Sequence, residues 1–324
     1  MGTGAIGRSR TRTGARAAGR TEARTRAEAH GPGRLTPWLF MAPYLILFGV
    51  FVVIPAVYGL WISLHNWDQF LPDKPWVGLQ NYVDLFTPGS AKAAPFWQAM
   101  LATGIFTVLS VPLLVVLPLF VAMLLDKKFP GRTFFRAVVF APYVLGVVVV
   151  GLLFRFILDP SIGVLNYLLG QIGLPSDTPW TTAEPWVWVS LVGMTVWWTL
   201  GFNAIIYLAG LQDINRELYD AAAVDGAKRR DRFRHVTLPG LRPVFVFVVT
   251  VTILASANMF GQAYITTQGA PAERTRTAIM FIAEEGFLDF HLGSAAAMSY
   301  VLAVFLMALS AGVFFFFREK GEQA

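Results

Sequence analysis

The sequence predicts an all-α integral membrane protein that crosses the bilayer six times. Of its 324 residues, 55% are hydrophobic and 14% are charged, and so few charged side chains do not cover the surface of a water-soluble domain of this length. Six apolar stretches are each near or above the ~20 residues that cross ~30 Å of hydrocarbon. They lie at about 37–64, 97–125, 133–158, 186–211, 242–265 and 293–317.

The chain begins with a basic segment, residues 1–34, that is rich in Arg, Gly, Thr and Ala. It buries too little apolar surface to offset its chain entropy, so we predict a disordered cytoplasmic tail. The apolar run from Trp38 to Leu64 is longer than the ~7–15 residues of a signal-peptide core, which indicates a retained first span. A transmembrane domain at 35–318 and a cytoplasmic C-terminal tail at 319–324 follow.

Proline occurs inside several of the predicted spans. It removes a main-chain hydrogen bond and kinks a water-exposed helix, whereas neighbouring membrane helices can satisfy the freed carbonyl groups. We therefore expect kinked, closely packed helices. The prolines concerned are Pro43, Pro55, Pro112, Pro118 and Pro142.

The basic residues are concentrated on one predicted side of the membrane. All but five of the 26 Lys and Arg residues lie in the N-terminal tail, in segments 126–136 and 212–242, and at the C-terminus. By the positive-inside rule, we expect a multi-pass protein of the cell membrane with both termini in the cytoplasm. This asymmetry explains the net charge of +6 without nucleic acid as a partner. The acidic outer loops fit either the same asymmetry or the reception of a partner protein.

The sequence lacks the motifs of several enzyme classes. No Lys is followed by Ser or Thr, so no Walker A phosphate loop can form, and no Ser is flanked as Gly-x-Ser-x-Gly. There is no Cys, and the four His residues are widely spaced. We predict no catalytic residue, metal ion or cofactor on this chain. Arg155, four residues before Asp159, is interpreted as structural rather than as a substrate contact.

The longest cytoplasmic connection, at about 212–241, has the signals of two short helices joined by a turn. Asn215 is a suitable N-cap, and Glu217 and Asp220 follow in the first turns, where acidic groups suit the helix dipole. Three alanines then form a smooth face that lets another backbone approach closely, and Gly226 is the residue type that stops a helix.

The second helix of this connection is expected to end at Leu238-Pro239, before the fifth span. The basic run from Lys228 to Arg234 leaves another interpretation open at this point. An amphipathic surface helix lying on anionic lipid would have a similar composition.

The connection resembles the EAA loop of ABC importer permeases, in which Glu-Ala-Ala, three residues, Gly, nine residues and Ile-x-Leu-Pro form coupling helices that dock on the ATPase subunit. Here the pattern reads Asp220-Ala221-Ala222, three residues, Gly226, nine residues and Val236-Thr237-Leu238-Pro239. The spacing matches throughout, with Asp for Glu and Val for Ile. The resemblance implies an ATPase-coupling surface that consists of Glu217, Tyr219, Asp220, Ala221, Ala222, Asp225, Gly226, Leu238 and Pro239.

The resemblance extends over about 37–317 and is to binding-protein-dependent sugar permeases, on the side related to the larger maltose-system permease. It implies the type I ABC importer permease fold. It also implies as partners a second permease, two ATP-binding subunits, an extracellular solute-binding protein and membrane lipid, with ATP and Mg held by the ATPase. Supporting stretches are Val77–Tyr82, Phe134–Arg136, Ala141–Tyr143, Gly201–Asn203 and Thr266–Pro271.

Sugar hydroxyls need hydrogen-bonding side chains and flat aromatic faces inside an otherwise apolar bundle. The resemblance places the family's sugar contacts in spans four to six. The candidates there are Trp197, Trp198, Asn203, Asn258, Gln262, Ser299 and Tyr300. Asn258 and Gln262 are favoured because residues four apart share a helical face. Interhelical hydrogen bonding or packing is an equally open role for each candidate.

The cargo is only partly defined by these residues. No basic residue lies in the middle of a span, which favours a neutral sugar over an anionic cargo. An oligosaccharide, a polyol or glycerol phosphate stays open as an alternative cargo. Transport without an ATPase partner also stays open as an alternative function.

Overall fold

The fold is that of a computed structural model, which describes Gly2 and residues 36–319, with side chains from Trp38 to Phe315. The predicted tails at 1–34 and 319–324 lie outside the described residues, apart from Gly2 and Glu319. Within residues 36–319 the regular structure is helical. Two isolated β-bridges also occur there, His65 with Trp76 and Asp68 with His291.

The helices are numbered here in chain order, and three π-helical turns interrupt or extend them. The π turns are Gly49–Val53, Phe233–Thr237 and Glu284–Leu288. The α-helices are α1 (Thr36–Phe48), α2 (Ile54–Ser63), α3 (Gln80–Phe86), α4 (Ala93–Asp126), α5 (Arg132–Val144), α6 (Val147–Ile157), α7 (Val164–Gln171), α8 (Trp186–Asp213), α9 (Arg216–Val224), α10 (Arg229–Arg232), α11 (Leu238–Gly240), α12 (Arg242–Ala257), α13 (Gly261–Thr266), α14 (Ala278–Ala283) and α15 (Leu292–Glu319).

Among the described residues, four of the predicted spans are helices long and apolar enough to cross a membrane, and two bent helix pairs bring the number to six if each pair counts as one span. The four are Trp38–Ser63, Ala93–Asp126, Trp186–Asp213 and Leu292–Phe315. In the predicted third span, α5 and α6 meet at 94°. Ahead of the fifth, the helical run Arg229–Gly240 meets α12 at 68°. The structure therefore confirms the helical bundle and adds two sharp bends that hydropathy does not show.

The chain divides into two compact units, Met1–Gly59 and Leu60–Ala324. In the first unit, α1 passes through the π turn Gly49–Val53 into α2, and Pro43 lies inside α1. The large apolar side chains of this unit from Trp38 onwards are exposed. Such a surface is stable only against lipid or another protein.

The core of the second unit is organised around α4. One buried cluster joins α4 to α6, α8 and α13, a second joins it to α3, α14 and α15, and a third joins it to α8 and α12. Phe96, Phe106 and Tyr207 are among the side chains that these clusters exclude fully from solvent. Because all three clusters share α4, this helix fixes the positions of the others.

Two glycines let α6 and α13 pack very closely. A Cβ at Gly261 would lie 2.8 Å from Cγ2 of Val147, and a Cβ at Gly151 would lie 2.9 Å from Cβ of Ile265. Real Cβ atoms do not approach so closely, so these positions require glycine. The contact holds the start of α13 against the bend between α5 and α6.

The predicted fifth span, 242–265, is not one helix. α12 ends before Asn258, Phe260 has a non-helical backbone (φ −134°, ψ −69°), and a new helix begins at Gly261. Asn258 and Gln262 therefore do not share a helical face, and the prediction that they do is wrong. The four-residue spacing implies a common face only within an unbroken helix.

The loops at one end of the second unit are joined by a buried charge network centred on Glu285. Its Oε1 lies 2.7 Å from Nζ of Lys92, accepts a hydrogen bond from Oγ of Ser294 at 2.6 Å, and lies 3.2 Å from Nδ1 of His291. Nε2 of His291 is 3.8 Å from Oδ2 of Asp68. Burial raises the pKa of Glu285, but the Lys92 and Ser294 hydrogen bonds and the nearby positive charge outweigh it and leave the pKa below its ordinary value.

Candidate functional site

A cavity of about 480 Å³ lies where α4, α5, α8 and α12 meet the break before α13. Five of its lining residues are aromatic, several others carry amide or hydroxyl groups, and none is charged. The aromatic residues are Phe106, Tyr143, Trp198, Phe202 and Phe260. The polar residues are Thr195, Thr199, Asn203, Thr252, Ser256, Asn258 and Gln262.

Two of the aromatic rings are held in place by the bend of the third span. The Tyr143 ring stacks on Phe202, with ring centroids 4.7 Å apart and planes 20° apart. Nε1 of Trp198 donates to the carbonyl oxygen of Leu145 at 3.0 Å. Since α5 ends at Val144, the carbonyl of Leu145 is free of an intrahelical partner and can accept this bond.

Asn203 is buried and connects three helices at the wall of the cavity. Its Nδ2 donates to the carbonyl oxygen of Leu114 on α4 at 2.8 Å and to Oγ1 of Thr252 on α12 at 3.2 Å. A parallel link runs from Oγ of Ser110 to Oγ of Ser256 at 3.0 Å. The amide nitrogen of Asn203 is thus engaged in interhelical bonding, the alternative role considered for it above.

Asn258 and Gln262 lie on either side of the helix break. Nδ2 of Asn258 donates to the carbonyl oxygen of Leu254 at 2.7 Å, so this amide caps the end of its own helix. Gln262 is half-buried and has no hydrogen-bond partner among the described residues. Of the cavity's amides, that of Gln262 is the one most available to a ligand.

The remaining sequence-based candidates lie elsewhere. Ser299 and Tyr300 are on α15 and do not line the cavity, and Oγ of Ser299 donates to the carbonyl oxygen of Ala295 at 2.9 Å. Trp197 also lies outside the lining and packs against Phe154, with ring centroids 5.4 Å apart. The structure therefore brings together Trp198, Asn203, Asn258 and Gln262 from the predicted set.

Several cavity residues were not among the sequence-based candidates, chiefly Tyr143, Phe202 and Phe260. A periodic signal for one wall was present in the sequence. On α8, Thr195, Trp198, Thr199 and Phe202 follow the i, i+3, i+4, i+7 spacing of one helical face. Phe260 had no such signal because it lies in the break itself.

The exposed connection after α8 has the predicted helix and turn. Oδ1 of Asn215 accepts a hydrogen bond from the main-chain N–H of Glu217 at 3.0 Å, which confirms the N-cap of α9. At the other end, Gly226 has φ +75° and its N–H donates to the carbonyl of Ala223 at 3.1 Å. The N–H of Ala227 donates to the carbonyl of Ala222 at 2.9 Å, which completes a Schellman turn.

The second helix of this connection is longer than predicted. Its start is capped by Oδ2 of Asp231, which accepts from the N–H of Lys228 at 3.2 Å. It continues from α10 through the π turn Phe233–Thr237 into α11, and Pro239 lies within it. The helix ends at Gly240, one residue past the predicted end at Leu238-Pro239 and before the fifth span, as expected. The π turn leaves Pro239 near the start of a new helical segment, where a missing N–H is tolerated.

One side of this connection is attached to the bundle and the other is exposed. The hydroxyl groups of Tyr219 and Thr237 are hydrogen-bonded at 3.0 Å, which joins the two helices. Tyr219 packs against the cluster that joins α4, α8 and α12. On the other side Leu218 is exposed and Val224 is 89% exposed. A force applied to the exposed side would pass through Tyr219 to α12, whose other end lines the cavity.

Two further groups have no place in either site. Nη1 of Arg155 lies 3.5 Å from the carbonyl oxygen of Ile265, and the residue does not line the cavity. The pKa of Asp159 is lowered mainly by the N–H groups of Ile162 and Ser161, with a smaller contribution from Arg155. Over the described residues, no three His, Asp or Glu side chains group closely enough to hold a metal ion.

A helical membrane bundle with an uncharged internal cavity and an exposed, bundle-linked helical hairpin is the architecture of a membrane transport subunit. Residues 89–319 match the family model described as the binding-protein-dependent transport system inner membrane component. The chain belongs to this family and is a multi-pass inner membrane protein. It is an ABC transporter permease.

Relatives match along most of the chain. A probable ABC transporter permease of Bacillus subtilis, YurN, is 33% identical and covers 90% of this chain and 98% of its own length. The trehalose/maltose permease MalF of Thermococcus litoralis is 32% identical, covering 82% of this chain and 89% of its own. The sn-glycerol-3-phosphate permease UgpA of Agrobacterium fabrum is 31% identical, covering 89% and 97%.

A solved structure has the same fold. A chain of a bacterial ABC transporter involved in import of the acidic polysaccharide alginate superposes with a TM-score of 0.76 at 25% sequence identity. The match covers 87% of this chain and 96% of the other. The predicted ABC importer permease fold is thereby confirmed.

Proposed function

We propose that this chain and a second permease form the path by which an ATP-driven importer carries a neutral sugar across the cell membrane. The uncharged cavity carries the proposal. Aromatic faces such as Trp198 pack on the apolar faces of sugar rings, and amides such as Gln262 bind hydroxyl groups. A carboxylate or phosphate would be buried there without a counter-charge, at a cost of several kcal/mol.

In the proposed mechanism, the energy source is a separate pair of ATP-binding subunits. ATP and Mg bind to those subunits, and this chain performs no hydrolysis. The coupling surface, made of α9 and the helix Arg229–Gly240, docks on one of them. Closure of the ATPase dimer then moves the docked hairpin, and α12 transmits the movement to the cavity wall, so that access alternates between the two sides.

The proposed orientation places both termini and the coupling surface in the cytoplasm. The concentration of Lys and Arg in segments 126–136 and 212–242 supports it. The loop-rich end, which contains the Glu285 network, then faces outward and receives an extracellular solute-binding protein loaded with cargo.

An anionic cargo is the competing proposal, since relatives are named for glycerol phosphate and for alginate. Reconstitution with the partner permease, the ATPase and the binding protein into proteoliposomes tests the two. We expect ATP-dependent uptake of a radiolabelled neutral disaccharide and none of glycerol phosphate or an oligouronate. Uptake of an anion in preference to every neutral sugar would overturn the neutral assignment.

Single substitutions test the cavity itself. Loss of one neutral hydrogen bond of ~0.5–1.5 kcal/mol predicts that Gln262→Ala raises the KM for sugar by roughly two- to tenfold. Asn258→Ala should change the KM or the range of sugars accepted, and Ser299→Ala, outside the cavity, is the matched control. If the Ser299 variant is impaired while the two cavity variants transport normally, the cargo path lies elsewhere.

The absence of an ATPase would refute the importer mechanism as a whole. Purification of the tagged chain from its native membrane, followed by mass spectrometry, is the direct check. We expect a second permease and an ATP-binding subunit in the same complex, and uptake that stops when ATP is removed. Uptake driven by an ion gradient alone would contradict the mechanism.

A further inference from the structure

The segment between α6 and α8, residues 158–185, forms a small folded cap that the proposed function does not use. Its centre is the buried side chain of Asn166. Nδ2 of Asn166 donates to the carbonyl oxygens of Pro160 and Thr178, both at 3.0 Å, and its Oδ1 accepts from Nε1 of Trp180 at 2.7 Å. The cap is therefore held in one conformation by its own hydrogen bonds.

The opposite face of α7 is apolar and exposed. Val164, Tyr167 and Leu168 follow the i, i+3, i+4 spacing of one helical face, and Tyr167 is 66% exposed. Ile172, directly after the helix, is 72% exposed, and Leu174 two residues later is exposed as well. These five side chains are called the α7 stripe below. An apolar surface of this kind marks contact with a partner or a membrane.

The composition of this part of the chain indicates whether a partner protein or a membrane covers the α7 stripe. Residues 160–176 contain no Asp, Glu, Lys or Arg. Protein interfaces carry a polar and charged rim around an apolar centre, whereas here the nearest charged residues, Asp159 and Asp177, stand only at the two ends of this window. The segment also starts and ends at helices of the membrane bundle, so the membrane surface is within reach of both its ends. The eight residues of α7 make a helix of about 12 Å, too short to cross a bilayer.

We propose that the α7 stripe lies in the headgroup region of the outer leaflet, with its apolar side chains in lipid and Asn166 facing the cap. Short helices with one apolar face bind in this way, and Tyr is favoured at this depth. Because residues 160–176 carry no charge and no Lys or Arg lies anywhere in residues 158–185, the attachment does not depend on anionic lipid. The proposal rests on the proposed function only for the choice of leaflet.

Attachment of the cap to the membrane also fixes the position of the bent third span. α6 has 11 residues and is about 16 Å long, roughly half of the hydrocarbon thickness. An α7 stripe in lipid fixes the end of α6 at the membrane surface. Because α6 packs on α13, the wall of the cavity is then held at a fixed depth relative to the bilayer.

The absence of cysteine from this chain makes the proposal directly testable, because each introduced cysteine is the one labelling site on it, and transporter without an introduced cysteine gives the background of its partners. Leu168→Cys and Ile172→Cys would be labelled with the fluorophore NBD in the complete transporter, reconstituted into phosphatidylcholine vesicles with brominated acyl chains. Bromine quenches nearby fluorophores. At a depth of ~5–10 Å, we expect both labels to lose roughly half of their emission relative to unbrominated vesicles.

Asp73→Cys is the control, since Asp73 is exposed in a different loop and is itself charged, with Lys74 next to it. Its label should keep its emission in brominated vesicles. The quenching at Leu168 and Ile172 should be unchanged when phosphatidylglycerol is added, when salt is raised, or when the solute-binding protein is bound.

Three outcomes would overturn the proposal: no quenching at either position, quenching equal to that of the Asp73 label, or unquenched labels that the binding protein protects. The last outcome would assign the stripe to protein docking. Sugar uptake by the same labelled proteins is measured separately. Quenched labels without sugar uptake would refute the proposed function alone, and uptake with unquenched labels would refute this inference alone.

Discussion

The turn at Gly226 offers the sharpest test of coupling, because its energetic cost can be isolated. Gly226 adopts φ +75°, and no atom lies within 4 Å of the position that a Cβ would take. Gly226→Ala therefore keeps the Schellman hydrogen bonds and introduces backbone strain alone. That strain is about 1–2 kcal/mol for a residue with a Cβ in the left-handed region. This strain lowers the population of the observed turn by roughly 5- to 30-fold relative to other conformations of the same loop.

Gly226→Pro is the stronger perturbation of the same turn. Proline fixes φ near −65° and removes the N–H that donates to Ala223, so the turn cannot form. The side chains that fix α9 to the bundle stay in place, and we expect the protein to insert normally. Transport should nevertheless be lost, since α9 and the helix Arg229–Gly240 can no longer be presented together.

The assay measures sugar uptake and ATP hydrolysis side by side in proteoliposomes that contain the full transporter. We expect Gly226→Ala to reduce sugar transported per ATP severalfold, and Gly226→Pro to abolish uptake. Gly89→Ala is the matched control, because Gly89 has φ +88°, has no atom within 4 Å of a Cβ and lies far from the coupling surface in sequence. Normal uptake by Gly226→Pro, or an equal loss in the Gly89 variant, would refute the coupling role.

Three further predictions concern contacts elsewhere. Tyr219→Phe removes the hydroxyl bond to Thr237 at a cost of about 1 kcal/mol, and should lower uptake per ATP without lowering the amount of inserted protein. Asn203→Ala removes two interhelical bonds and should destabilise the transporter by about 1–3 kcal/mol, seen as a lower Tm in detergent. Ionised Glu285 contributes stability that is fully present above its ordinary pKa of 4.5 and is lost as pH falls through its lower pKa in the folded protein. Glu285→Gln should therefore lower the Tm at neutral pH, and the Tm of this variant should decrease less in acid than that of the wild type.

Each of these predictions has an outcome that would contradict it. Wild-type coupling in Tyr219→Phe would mean that packing alone joins the two helices. If Asn203→Ala raises the KM for sugar and leaves Tm unchanged, Asn203 binds cargo rather than the bundle. A Glu285→Gln protein whose Tm follows the wild-type pH profile would show that the Lys92–Glu285 pair does not stabilise the loops. Because Lys92 is a third exposed, we expect the loss at neutral pH to be modest, about 1 kcal/mol.

Features governed by local chemistry could be predicted from the sequence. The Asn215 cap and the Gly226 turn each depend on residues within a few positions, and both have the predicted hydrogen bonds. The break at Asn258 was missed because the apolar run continues across it. Hydropathy reports the polarity of side chains, so it does not change where the backbone leaves the helical conformation. Just after the break, Gly261 packs on Val147, a contact between distant parts of the chain that no local sequence pattern shows.

The Glu285 network and the cavity could not be predicted, because both bring together residues that are far apart in sequence. Lys92 and Glu285 are far apart in sequence, and no periodic pattern links them. The cavity draws on α4, α5, α8, α12 and α13, so its aromatic wall could be assembled only once the bends of the third and fifth spans were known. Trp198 and Asn203 were found because a polar or indole group in the middle of a span is unusual in itself.

The helix break also bears on how cargo preference changes during evolution. Where α12 stops, the carbonyl oxygen of Leu254 accepts hydrogen bonds from Asn258 and that of Ser256 accepts one from the N–H of Met259, and Ala255 and Ser256 line the cavity. A carbonyl oxygen has two lone pairs, and a cargo hydroxyl bound to one of them is recognised without any side chain. If cargo uses a main-chain carbonyl here, side chains around the break can be exchanged while that contact is kept. Relatives that share about a third of their residues with this chain and are named for different cargoes are the outcome expected of such a site.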